Sequence, residues 1–197
     1  MTTTTNETGT VRQGPGTSPV VSGAAAKALA VLRIGFGFTF LWAFFDKLLA
    51  LGFATGRSVD PETGVETVDR FGDAAFINGG SPTEGFLGFG AEGPFKEFYN
   101  GIAGAAWADW LFMAGLLGIG VALTLGIVMR IGTISGAVLY MLMWTVVLPP
   151  PNNPVIDDHV LGAITMIVLL LTAAGTTWGL GRVWNELPLV RQQAWLR

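Results

Sequence analysis

Five ionisable residues beside the long apolar segments of this chain have the chemistry needed for proton transfer. Asp46 and Lys47 end the first apolar segment, and Asp157, Asp158 and His159 stand together at the start of the last one. A histidine beside carboxylates can relay protons near neutral pH, and a lysine can stabilise an anionic oxygen. The pattern predicts that these five residues form a catalytic site at one membrane face.

Two tryptophans, Trp42 of the first apolar segment and Trp144 of the third, lie a helical turn or two deeper on the same side of the membrane. Their rings could contact the apolar ring of a cofactor, so both are candidate cofactor-binding residues. Tryptophan is also enriched in the aromatic belts at membrane surfaces. Packing within such a belt is therefore the alternative interpretation for both.

Each ionisable residue also has a purely structural interpretation. Carboxylates in the first turn of a helix complement its dipole, which would account for Asp157 and Asp158. Asp46 and Lys47 are adjacent, so they point in different directions around a helix and need separate partners. A shared site requires Lys47 to lie close to Asp157, Asp158 or His159.

The chain contains no cysteine and one histidine. Without cysteine there are no disulfides, no thiol chemistry and no thiolate iron–sulfur cluster. One imidazole cannot build a bis-histidine haem site, and the sequence carries no haem, flavin or metal motif. No basic cluster indicates nucleic acid. Electron transfer would therefore require a diffusible carrier such as a quinone, or a second protein subunit.

Composition places the chain in a lipid bilayer. Of its 197 residues, 51% are hydrophobic and 13% are charged, whereas soluble domains carry about 25% charged residues. The apolar blocks predict an all-α polytopic membrane protein, a four-transmembrane-helix bundle within residues 27–184. The predicted spans cover about residues 28–51, 107–129, 131–148 and 157–180.

The remaining segments differ in composition. Residues 1–26 are predicted to be a disordered tail because they contain almost no large apolar residue. Residues 52–106 combine glycine-rich turns with aromatic residues, which predicts a long ordered loop with a short helix from Pro94. Residues 185–197 form a second tail, and Arg33 is expected to reach the lipid headgroups. Lysine and arginine placement predicts that both termini are cytoplasmic and that the loop is extracytoplasmic.

Three motifs resemble the DoxX/DoxD family of four-helix membrane proteins. The motifs are LRIG and FLWAFFDK at 32–35 and 40–47, INGGSPT with GPF at 77–83 and 93–95, and LPPPNNP with DDH at 148–154 and 157–159. The resemblance runs from about Arg33 to the C-terminus. In this resemblance Asp46, Lys47 and residues 157–159 match the polar motif positions of the family, but no catalytic step is assigned to them.

The resemblance implies a function in the plasma membrane of a bacterium. The DoxD branch is associated with the large subunit of thiosulfate:quinone oxidoreductase, which works with a second, small subunit. This chain would then be part of a thiosulfate dehydrogenase that uses quinone as electron acceptor. The alternative is a non-catalytic membrane anchor or accessory subunit of a respiratory or oxidative-stress complex. Solute transport is a weaker candidate because four short-looped helices lack an inverted repeat.

Overall fold

The computed structural model describes residues 21–151 and 153–197 and is mostly helical. The helices are α1 (Gly23–Leu49), α2 (Lys96–Ile102), α3 (Ala106–Leu125), α4 (Met129–Val146), α5 (Asp158–Leu171), α6 (Gly181–Glu186) and α7 (Pro188–Gln192). Within the described residues, α1, α3 and α4 are long and apolar enough to cross a membrane. The protein is therefore an α-helical protein that contacts a lipid bilayer.

Helix α1 begins earlier than the sequence predicts. Residues 1–20 of the predicted disordered tail lie outside the described residues, but Gly23 to Ala26 form the first turn of α1. Three consecutive alanines, at 24–26, follow Gly23, and alanine has the highest intrinsic helix propensity. The low hydrophobicity of residues 23–26 therefore led to a predicted helix start that is several residues too late.

The long helices pack as antiparallel neighbours in the order α1, α3, α4, α5. Their shared core consists of large apolar side chains: Phe40, Met113, Leu116, Ile119, Leu123, Met129, Met166 and Leu169. We call the end where α1 and α4 stop and α3 and α5 begin the loop end. The opposite end is the tail end. Helices α1 and α5 scarcely approach each other directly, because α3 and α4 lie between them in the packing order.

The last apolar segment is helical for only part of its predicted length. The sequence predicts a span over 157–180, whereas α5 has 14 residues and stops at Leu171. Ala173 and Trp178 adopt positive φ angles, and a 3₁₀ turn spans Ala174–Thr176. A non-helical backbone leaves carbonyls without intrahelical partners, so other donors must supply their hydrogen bonds.

Arg33 supplies those donors. Its side chain is fully buried, and its guanidinium donates to the carbonyls of Thr177 at 3.3 Å and Trp178 at 3.0 Å. The same group donates to the carbonyls of Leu123 and Thr124 in the last turn of α3. Arg33 was expected to reach the headgroups; instead it joins α3 to the segment after α5. Arg33 thereby satisfies two carbonyls of the non-helical segment that follows α5.

The segment between α1 and α3 is folded against the loop end. Strands β1 (Arg57–Val59) and β2 (Glu66–Val68) form an antiparallel hairpin in which Ser58 faces Thr67. In the hairpin turn, hydrogen bonds from the backbone N–H groups of Thr63 and Glu62 hold the pKa of Asp60 below its usual range. Beyond the hairpin come a 3₁₀ turn (Phe76–Asn78), a π-helix (Glu84–Phe89), a second 3₁₀ turn (Gly93–Phe95) and α2.

The residues after α5 fold back over the tail end. The N–H of Arg130 donates to the carbonyl of Arg197 at 2.9 Å, and the indole of Trp184 donates to the carbonyl of Leu196 at 2.6 Å. Residues 185–197, predicted as a tail, include α7 and a final 3₁₀ turn. Val190 is buried in this contact. The segment therefore covers the short connection between α3 and α4.

Candidate functional site

Asp157 and His159 form a hydrogen-bonded pair at the start of α5. One carboxylate oxygen of Asp157 accepts the backbone N–H groups of His159 and Val160 at 3.0 and 3.1 Å, which caps the helix. The other oxygen lies 2.6 Å from Nδ1 of His159. One carboxylate thus fixes both the helix start and the imidazole. Among the described residues, Nε2 of His159 has no hydrogen-bond partner and can face a ligand.

Tyr140 of α4 lies beside this pair. Its ring meets the imidazole of His159 edge to face, with the centroids 6.5 Å apart. The ring reaches this position because residue 162 is glycine: a Cβ there would lie 2.8 Å from Cζ of Tyr140. The phenol of Tyr140 and the imidazole of His159 therefore lie side by side near the loop end of the bundle.

Two phenylalanines of α1 complete the surroundings of Tyr140. The ring centroids of Phe36 and Phe40 lie 6.2 and 5.4 Å from that of Tyr140, both edge to face. We call Phe36, Phe40, Tyr140 and His159 the aromatic cluster. It spans the space between α1 and α5 and gives the polar Asp157–His159 pair an apolar neighbourhood. Charge interactions are stronger in such surroundings than in water.

An open apolar groove is lined by Val160 of α5, the residue after His159, but not by Asp157 or His159 themselves. It has a volume of about 440 Å³ and runs between α4 and α5, with Met141, Leu142 and Thr145 on one wall and Val160 and Ile164 on the other. Val160 directly follows His159 in sequence. Ligand sites typically measure about 300–1,000 Å³ and carry few polar groups. The groove falls within this range of volumes, and its lining is apolar.

Asp46 serves the fold of the loop. Its carboxylate is 1% exposed and accepts the backbone N–H groups of Phe53 at 3.1 Å and Ala54 at 2.9 Å. These bonds close the turn that follows α1. Lys47 lies elsewhere, with its ammonium 6.0 Å from the ring centroid of Phe112 on α3. Asp46 is therefore a structural residue of the turn.

The structure does not bring the five predicted catalytic residues together in one site. Asp157 and His159 are joined, whereas no hydrogen bond or ion pair in the described ranges links Asp46 or Lys47 to them. Asp158 is exposed and also has no such partner there. The reason is the helix order: α1 packs on α3, while α5 packs on α4. Residues at the same membrane level can thus belong to different interfaces.

The two predicted cofactor-binding tryptophans have separate surroundings. Trp42 is exposed; its ring centroid lies 4.9 Å from that of Phe53 and 6.1 Å from that of Phe38. Trp144 donates from its indole to the carbonyl of Val155 at 3.1 Å, which ties α4 to the segment before α5. Trp144 thereby helps to set where α5 begins, and Trp42 belongs to the boundary between α1 and the loop.

Asp109, Tyr99 and Tyr140 are the polar residues that the site prediction omitted. Asp109 accepts hydrogen bonds from the hydroxyls of Ser81 and Thr83 at 2.8 and 2.6 Å and from the N–H of Thr83 at 3.1 Å. A carboxylate in the first turn of an apolar helix was the available sequence signal for Asp109. For Tyr99 and Tyr140, the only available sequence signal was that they are the two tyrosines of the chain.

No protein-family model, curated protein or solved structure matches this chain. The DoxX/DoxD resemblance, which rests on short motifs, therefore stays a prediction. The Asp157–His159 pair, the aromatic cluster and the adjoining groove are the features from which a function can be argued.

Proposed function

We propose that this protein is the membrane subunit of a quinone-linked oxidoreductase and that its Asp157–His159 pair transfers protons to the quinone. The observation that carries the proposal is the 2.6 Å contact between the Asp157 carboxylate and Nδ1 of His159, beside the Tyr140 ring. A carboxylate on one imidazole nitrogen orients the ring and stabilises its protonated form. The other nitrogen is then free to donate a proton.

Quinone reduction needs both electrons and protons. One quinone takes up two electrons and two protons to give the quinol, and the oxidation of two thiosulfate ions to tetrathionate would supply the electrons. In the proposal His159 donates from Nε2 to a quinone oxygen, and Asp157 stabilises the charge on the imidazole. The pair is partly exposed, so water can return protons to it. The electrons arrive through a second protein subunit, because this chain has no redox motif.

The groove between α4 and α5 is the proposed binding place for the quinone ring. Its walls are apolar, and in the proposed arrangement they face lipid, from which a quinone must enter. It begins at Val160, one residue from His159. The aromatic cluster on the other side of His159 keeps the imidazole in an apolar environment. In such an environment a hydrogen bond to a developing oxyanion is stronger than it would be in water.

The proposed topology has four crossings. In it, α1, α3 and α4 each cross once, and α5 with residues 172–180 crosses a fourth time, in the plasma membrane of a bacterium. Both termini then lie in the cytoplasm, as the placement of lysine and arginine predicts. The buried carbonyl contacts of Arg33 support this arrangement, because non-helical backbone at membrane depth must be satisfied by protein groups.

The accessory role is the second candidate, and the folded loop favours it. Asp46, Asp109 and Tyr99 fix residues 50–105 to three different helices. A loop held this firmly could dock a soluble redox partner. If the protein only recruits that partner, changes in the loop will abolish activity of the complex, and changes at His159 will leave it intact.

The deciding experiment is thiosulfate-dependent quinone reduction in native membranes that retain the neighbouring subunits. His159→Gln should lower the rate at least about 100-fold, the lower range for general acid–base catalysis. Asp157→Asn should also lower it strongly, although asparagine still caps a helix. Asp158→Asn is the matched control and should stay within about twofold of wild type. Normal rates for His159→Gln and Asp157→Asn, at normal protein levels, would sink the catalytic proposal and favour the accessory role.

A further inference from the structure

Two exposed phenylalanines lie on the short helix at the loop end. The 3₁₀ turn Gly93–Phe95 runs directly into α2, and within this stretch Phe95 and Phe98 are 46% and 62% exposed. They are three residues apart, which places them on one side of the helix. Tyr99, one position on, is 7% exposed and faces the protein. The stretch thus exposes two phenylalanine rings beside the charged residues Lys96 and Glu97.

The contacts of Tyr99 with α4 fix the position of α2 along the axis of the helix bundle. Its hydroxyl is hydrogen-bonded to the hydroxyl of Thr145 and lies 3.4 Å from the carbonyl of Leu142. Just before the stretch, the N–H of Glu92 donates to the carbonyl of Val146 at 2.8 Å. Helix α2 therefore lies beside the last turn of α4, which is long and apolar enough to cross a membrane.

The neighbouring surface of α4 is apolar and open. Leu142 is 51% exposed, and with Thr145 it lines the groove between α4 and α5. In a membrane this surface faces acyl chains, so its edge at the loop end marks the boundary between acyl chains and headgroups. Phe95 and Phe98 are next to that edge. Exposed to water they would be an unfavourable apolar patch, whereas at the boundary their rings are buried in lipid.

We propose that Gly93–Ile102 is an interfacial helix whose Phe95 and Phe98 insert into the bilayer leaflet at the loop end. Lys96 and Glu97 both lie between the two rings in sequence, and the long side chain of Lys96 can reach lipid phosphates. The interaction attaches the folded loop to the lipid surface as well as to the helices. It does not depend on the quinone proposal.

The absence of cysteine from the sequence makes spin labelling a direct test. Phe95→Cys and Phe98→Cys, each labelled with a nitroxide in the full-length protein, are reconstituted into phosphatidylcholine–phosphatidylglycerol vesicles. Collisions with oxygen, which partitions into lipid, and with a water-soluble nickel chelate are measured for each label. Leu142→Cys on α4 is the lipid-facing control, and Val65→Cys beside β2 is the water-facing control.

Insertion predicts that both phenylalanine positions resemble Leu142→Cys, with an oxygen-to-nickel ratio several-fold above that of Val65→Cys. Nickel accessibility as high as at Val65→Cys would overturn the proposal, because the side chains would then lie in water. Protection from both reagents would also overturn it, because a protein surface would then cover the phenylalanines. Since both side chains are exposed, neither substitution should impair folding.

Discussion

Arg33 and Leu123 are 90 positions apart in sequence, and the guanidinium of one donates to the main-chain carbonyl of the other. The contact joins the middle of α1 to the last turn of α3. Through Thr177 and Trp178 the same guanidinium also holds the segment that follows α5. Its hydrogen-bond partners are all carbonyls, so its charge complements the negative end of a helix dipole instead of a carboxylate. One buried cation therefore organises the tail end.

Arg33→Leu should destabilise the protein by at least about 3 kcal/mol, because it leaves several buried carbonyls without donors. Arg33→Lys should recover only part of this, since an ammonium cannot span carbonyls from two segments as a planar guanidinium does. Thermal unfolding in detergent measures both changes. Lys27→Leu, at an exposed position of the same helix, is the control and should be close to wild type. Equal stability of Arg33→Leu and Lys27→Leu would contradict the assigned role.

Asp46→Asn should loosen the turn after α1. The amide keeps one acceptor oxygen but presents an NH₂ group to the second backbone N–H, at a cost of about 1–3 kcal/mol. Limited proteolysis should then cut residues 50–56 faster than in wild type. Asp73→Asn is a suitable control because Asp73 is exposed in the same loop. If both variants resist protease equally, the two N–H contacts of Asp46 are not what holds the turn.

Thr83→Val tests the attachment of the loop to α3. The hydroxyl of Thr83 donates to Asp109 at 2.6 Å and accepts the N–H of Gly104 at 3.2 Å. Valine keeps the shape, leaves the N–H of Gly104 without its acceptor and removes one of the three donors to Asp109, so we expect a loss of about 1–3 kcal/mol. Hydrogen exchange should accelerate across residues 76–105. Thr165→Val is the control, because Thr165 is partly exposed and its hydroxyl bonds only within its own helix, and it should change little; equal effects would refute the attachment.

Two glycines of α3 provide a matched pair for the contact between α1 and α3. A Cβ at Gly120 would lie 2.8–2.9 Å from Leu41, including its backbone nitrogen, whereas a Cβ at Gly118 meets nothing within 4 Å. Gly120→Ala should therefore cost about 1–3 kcal/mol through overpacking. Gly118→Ala should be neutral or stabilise the helix by up to about 1 kcal/mol. The same melting assay checks both, and a reversed order would contradict the packing of α1 on α3.

The sequence was sufficient for features that depend on local composition. Apolar length predicted the three long helices, and the turn signals around Pro94 predicted a short helix where α2 is found. The end of α5 was not predictable in this way. It depends on Arg33, 144 and 145 residues away from the carbonyls of Thr177 and Trp178. A hydropathy pattern carries no information about such a distant donor.

The candidate site shows the same division. Asp157 and His159 are two residues apart at a helix start, so their pairing follows from local geometry. Grouping Asp46 and Lys47 with them required knowing which helices touch, and shared membrane depth does not determine this. Tyr140 was missed for the same reason: its importance comes from facing Gly162 across an interface. Side chains that meet across helices need the packing order as well as the sequence.

The shortness of α5 has a consequence for the lipid around it. Fourteen residues make a helix about 21 Å long, while the hydrocarbon core of a bilayer is about 30 Å thick. In the proposed four-span arrangement the non-helical residues 172–180 cross the remaining depth, so acyl chains on this side of the protein lie beside a helix near the loop end and beside irregular backbone near the tail end.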